Sequence, residues 1–254
     1  CSSLVSITIP NGVTRINEYT FAYCASLADV TIPNSVTSIG GGAFERCSSL
    51  THITIPASVT NIEGSPFKYC SALQSIVVEV KNTKYDSRNA CNAIIETERN
   101  ALISACGNST IPAGVTSIGD SAFEGCDSLT HITIPNSVKS IGAEAFANCT
   151  GLTSAAISDN VECIGDSAFI NCQGLTSVII PSKVASIGEY TFYKCVGLKS
   201  VLIPNNVVSI GRSAFGGCSG LKSVTISDGV ESIENWAFSD CIGLTGVTIP
   251  DSVT

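Results

Sequence analysis

Thirteen cysteines and two histidines are the residues of this chain whose chemistry could go beyond packing. Thiolates and imidazoles can hold zinc or act as nucleophile and base, and paired cysteines can form disulfides. The spacing argues against metal and catalysis. No C-x-x-C pair occurs, and His52 and His131 stand far apart without flanking ligands. No nucleophile elbow, H-E-x-x-H, P-loop or dinucleotide-binding pattern is present either, so no catalytic residue, metal site or cofactor is expected. Ten cysteines instead fall on two ladders of 23-residue spacing: Cys1, Cys24, Cys47 and Cys70, then Cys126, Cys149, Cys172, Cys195, Cys218 and Cys241. Such a period means one supersecondary unit stacked many times. Neighbouring cysteines in a stack come within about 4.8 Å, but parallel in-register side chains point the same way, so buried thiols are expected. Cys91, Cys106 and Cys163 lie off the ladders, and Cys91 with Cys106 is the one pair placed to be tested for a bond.

The unit that positions these cysteines reads C-x-x-L-x-x-[IV]-x-I-P-x-x-V-x-x-I-G-x-x-A-F-x-x. From Cys24 it runs through Leu27, Val30, Ile32, Pro33, Val36, Ile39, Gly40, Ala43 and Phe44. All nine phenylalanines share one register, which marks a core column. Asp29-Val30-Thr31-Ile32 alternates polar and apolar residues, the mark of a half-buried strand with Asp29 and Thr31 outward. Proline then ends the strand because it has no amide hydrogen for a ladder. Val36 and Ile39 suit a second short extended segment on the opposite side. Gly40 is expected at a backbone angle closed to other residues, and Ala43-Phe44 falls in a stretch long enough for one tight helical turn. Ala155 stands where other units carry Ile or Val, so its coil should be the least tightly packed.

This pattern resembles the leucine-rich repeats of BspA-like, treponemal-type surface proteins, and the resemblance covers essentially the whole chain. It implies an α/β-type leucine-rich-repeat solenoid dominated by β structure, with a parallel concave sheet and with short strands and 3-10 turns on the convex side. It also implies an exported, extracellular or cell-surface protein that adheres to host matrix proteins or to another microbe. A structural spacer presenting another domain and, less favoured, a carbohydrate-binding surface are the alternatives.

Residues 1–254 read as a single array, opening and closing in mid-pattern as a segment of a longer one would. Between Cys70 and Cys126 the spacing is 56 residues, two periods plus ten, which places an inserted segment at 79–102. Within it, Asn92–Thr97 and Ala101–Ser104 flank a short polar turn and read as a β-hairpin. That insertion is either a tolerated bulge or a contact surface, with Tyr85, Arg88 and Arg99 as its candidate contacts. The other candidates are outward concave residues: Asp29, Thr31, His52, Thr54, His131 and Thr133, then Ile179 and Leu202, where the column turns apolar. A net charge of -8 and scattered basic residues argue against nucleic acid. No apolar stretch is long enough to insert in a membrane. A protein partner is the expectation, with the oligomeric state open.

Overall fold

A computed structural model describes residues 1–254 as a stack of short, mostly parallel strands wound into a solenoid. On one side, Ser6–Thr8 pairs with Asp29–Thr31, His52–Ile55 with Ser75–Val78, His131–Ile134 with Ser154–Ile157, and Ser200–Ile203 with Ser223–Ile226. Each partner lies 23 residues along the chain, as Ile7 with Val30 and Ile53 with Ile76. Val30, Ile53, Ile132 and Val201 are buried while the residues flanking them face solvent. Alternation therefore sets this sheet, because a slip of one residue would expose every inward side chain. Across the core, two-residue strands such as Arg15–Ile16, Ser38–Ile39 and Asn61–Ile62 form the opposing parallel ladder.

The phenylalanine turn closes each coil. Phe123, Phe146, Phe169, Phe192, Phe215 and Phe238 stack with ring centroids 4.8–5.5 Å apart. The turns use i→i+3 hydrogen bonds, for example Glu45 N to Gly42 O at 2.9 Å and Cys47 N to Phe44 O at 3.1 Å. Left-handed residues interrupt them, one just before the Ala-Phe pair and one just before the cysteine, as Glu144 and Asn148 at φ 55° and 58°. This alternation turns every second amide toward the next coil: Phe146 N donates to Ala168 O and Asn148 N to Ile170 O, both at 2.8 Å. The turn column thus becomes a hydrogen-bonded ladder of its own, and the single 3-10 helix is Arg88–Ala90.

Glycine after the back strand has a different reason from the expected one. Gly40 is not among the residues of positive φ. A Cβ there would lie 2.4 Å from Glu18 N and 2.8 Å from Asn17 C, so the slot excludes a side chain because successive coils touch backbone to backbone.

The insertion reorganises the stack. Ile94–Glu96 runs antiparallel to both Tyr85–Asp86 and Ala101–Ser104, and the latter passes into parallel pairing with Ser117–Ile118. The apolar interior is divided here into groups of 24 and 46 buried residues. On the turn side the 56-residue detour closes: Tyr69 N donates to Glu124 O at 3.1 Å, the bond that adjacent coils make elsewhere. The coil of Ala155 is looser, with Ala155 and Ile157 half-buried where equivalent residues are buried. Beyond it, the concave ladder shrinks to the single bridge Ser154–Ser177.

Candidate functional site

Outward side chains of the concave strands meet neighbours on their own coil and on the next, so any site here is assembled from adjacent coils. Asp29 and His52 are such neighbours, with Oδ1 3.9 Å from Nε2 and both side chains well exposed. With Thr31, Thr54 and Glu79 they line a cleft of about 230 Å³. Glu79 Oε2 accepts a hydrogen bond from Ala57 N at 2.8 Å, which fixes one wall. Glu79 also lines a second hollow of about 240 Å³ formed by Val78–Val80, Asn82 and Tyr85–Arg88. Val80, in its wall, is fully exposed.

His131 and Thr133 line a separate cleft of about 230 Å³ with Ser109, Thr110 and Pro135. The His131 ring lies 2.9 Å from Thr130 Oγ1 and 3.4 Å from Thr153 Oγ1, held by threonines of its own and the next coil. Ile179 and Leu202 are 75% and 58% exposed, but Ile179 falls where the ladder is interrupted, so no continuous sheet joins them. The candidates therefore separate into a group around Asp29 and His52, a group around His131, and isolated apolar residues.

The insertion residues differ in role. Tyr85, offered as a contact, is buried, and its hydroxyl accepts the amide hydrogen of Ile62 at 2.9 Å. It thereby satisfies a donor at the end of the Arg15/Ser38/Asn61 ladder, which would otherwise be left unpaired in the interior. Arg88 is half-buried, with Nε 2.8 Å from Asp86 Oδ1 and a terminal nitrogen 2.9 Å from Asn100 Oδ1, so it ties the two ends of the insertion together. Hydrogen bonding to Asp86 pushes its pKa further up. Arg99 stays at the surface, 3.7 Å from Glu96.

All thirteen cysteines are free thiols, and eleven are buried, Cys91 and Cys106 among them. Cys91 Sγ points to Ala93 O and Cys106 Sγ to Asn92 O, so the pair considered for a bond is not bonded. Along the ladder seven thiols, those of Cys47, Cys70, Cys149, Cys172, Cys195, Cys218 and Cys241, donate to the phenylalanine carbonyl 26 residues back at 3.0–3.2 Å. Burial pushes the Cys47 and Cys218 thiols up to about 12, which keeps them protonated and unreactive.

Several residues of the types that dominate binding interfaces, tyrosine, tryptophan and arginine, cluster on the turn face, for which the sequence reading offered no candidate. Arg46 sits 4.2 Å above the Tyr69 ring and 5.6 Å from that of Tyr23. Arg212 lies 4.8 Å from Trp236 and 5.9 Å from Tyr190. The signal was in the repeat: Tyr23, Arg46 and Tyr69 each precede the ladder cysteine of their unit.

A family model described as a BspA type leucine-rich repeat region matches in six copies, over residues 1–99, 101–221 and 185–254. Among solved structures, a leucine rich cell surface protein from Faecalibacterium prausnitzii A2-165 is 36% identical over 89% of this chain, with a TM-score of 0.80. The chain spans 61% of that protein's length. A leucine-rich repeat protein from Eubacterium ventriosum is 25% identical, with a TM-score of 0.77 over 99% of this chain and 80% of its own. The pneumococcal vaccine antigen PcpA, 22% identical, shares the fold at a TM-score of 0.75 over 98% of this chain and 62% of its own. No curated protein matches the sequence significantly. No helix is long and apolar enough to cross a membrane. Matched along nearly its whole length by that repeat, and wound as the repeat requires, the chain belongs to the BspA-type leucine-rich-repeat family.

Proposed function

We propose that the chain is a cell-surface scaffold for protein interaction or adhesion, and that it engages an extended partner through the concave face around Asp29 and His52. The observation that carries this reading is that two clefts share Glu79 as a lining residue, which sets the polar concave strands beside the exposed Val80 of the insertion. A partner lying across both clefts meets carboxylates, an imidazole and threonine hydroxyls in regular spacing, with one apolar residue at its end. Single contacts of this kind are weak at an exposed surface. Affinity then comes from several rungs engaged at once, as repeat arrays permit. Matrix proteins and microbial surface proteins are the partner classes to examine, in keeping with the cell-surface description of the Faecalibacterium relative.

Binding of the chain to immobilised extracellular-matrix proteins should be measured for the wild type and for Asp29→Ala, His52→Ala, Val80→Asp, His131→Ala and Leu202→Ala. Loss concentrated in the first three supports the surface around Glu79. Equal binding by all five would discard the concave surface as the contact.

A further inference from the structure

A cleft of about 430 Å³, larger than either concave one, opens on the flank where the back strands run into the turn column. Its floor is the backbone of Gly188 and Gly211. A Cβ on Gly211 would come within 2.8 Å of Gly188 C and 2.9 Å of Glu189 N, so the packing of coils keeps this floor free of side chains. Asp166, Glu189, Arg212 and Glu234 form the walls. One oxygen of Asp166 accepts from Glu189 N at 2.8 Å, which holds that wall in place.

Two aromatic residues stand beside the Arg212 wall. The Arg212 guanidinium lies 4.8 Å from the ring of Trp236, which is 61% exposed, and 5.9 Å from that of Tyr190. Both aromatic residues sit at positive φ, 60° and 54°, in a slot that Tyr19, Gly42, Glu144 and serines fill in other coils. Bulky side chains rarely adopt that conformation.

We propose that this cleft binds a neutral saccharide. Carboxylates accept hydrogen bonds from sugar hydroxyls, while Arg212 and the neighbouring Asn235 donate to hydroxyl and ring oxygens. The exposed indole beside Arg212 adds aromatic surface of the kind that packs against the C–H side of a pyranose ring. Three carboxylates against one guanidinium disfavour an anionic ligand, and the polar walls disfavour an apolar one. The proposal stands independently of the concave-face reading, since the two surfaces share no residue and either can fail alone.

Trp236 is the sole tryptophan of the chain, so its emission reports on the surroundings of Arg212 at this cleft. The chain is screened on an array of neutral microbial and animal glycans. The best binder is then titrated against Trp236 emission, beside a heparin hexasaccharide and a lysine-rich peptide. The expected result is a saturable emission change with the neutral glycan, weakened roughly tenfold or more by Arg212→Ala and by Glu189→Ala. Arg99→Ala, on the distant insertion, should bind as the wild type does. Circular dichroism confirms that each variant is folded. No neutral binder on the array, a response confined to heparin or to the peptide, or unchanged affinity in both cleft variants would each overturn the proposal.

Discussion

Ile94 and Ile95 are consecutive residues, both fully buried, yet they face different apolar interiors. Ile94 joins the group that includes Phe44 and Ile62, whereas Ile95 joins the one that includes Phe123 and Ile118. Successive side chains of a strand point to opposite faces, so Ile94–Glu96 is a partition between two stacks. Truncation on either side should cost about 2–5 kcal/mol, but in different places. Ile94→Ala is expected to raise hydrogen exchange in residues 16–78 and Ile95→Ala in residues 111–241. Uniform loss of protection in both variants would mean that the stacks unfold as one unit.

The thiol ladder has a second testable role. Cys172 Sγ lies 3.1 Å from Phe146 O, an acceptor that also receives Cys149 N at 3.3 Å. Cys172→Ala removes the thiol donor and leaves a small void, for an expected loss of about 1–2 kcal/mol in urea unfolding. Cys172→Ser keeps a donor in place and should lose less. Equal losses would reduce the thiol to a volume filler.

Alkaline pH should weaken the fold through the same column. An unfolded thiol ionises near its ordinary value of 9.0, whereas burial holds Cys47 and Cys218 up to about 12 in the fold. The unfolded state therefore binds fewer protons above pH 9, and stability falls as pH rises between 9 and 12. Thermal melts across that window should show a descending Tm. In parallel, a thiol reagent at pH 8 should label Cys1 and Cys163, the two exposed cysteines, well before the rest.

Closure of the turn column over the insertion depends on Glu124. This residue is 9% exposed, and its Oε1 accepts from the Tyr69 hydroxyl at 2.9 Å while Oε2 faces Lys68 Nζ at 3.0 Å. Asn148 in turn donates to the Tyr69 oxygen at 2.8 Å. Tyr69→Phe removes one of the few donors to a carboxylate with little water around it, which should cost about 1–3 kcal/mol. Tyr23→Phe, at the same register position but largely exposed, should change urea stability by less than about 0.5 kcal/mol.

Much of the solenoid was legible in the linear chain because the same steric demand recurs every period. Val30, Ile53 and Ile132 point inward by alternation alone, and the phenylalanine register marks the stack of rings without any knowledge of the coil. The reason for Gly40 was not legible: a positive φ and a close approach leave the same letter in a sequence, and only the position of Glu18 on the neighbouring coil separates them. Tyr85 was misread for a related cause, since a tyrosine in a polar insertion looks exposed until Ile62 is seen to donate to its hydroxyl.

The repeat by itself determined the winding, the inward columns and the in-register placement of Asp29 beside His52, because each follows from contacts with a coil one period away. Tertiary structure alone decided what the insertion does. It splits the interior at Ile94 and Ile95, rejoins Tyr69 to Glu124 across 55 residues of chain, and leaves Arg212 beside two aromatic rings at the edge of a cleft. Those contacts depend on how non-equivalent coils meet in space, where periodicity carries no information.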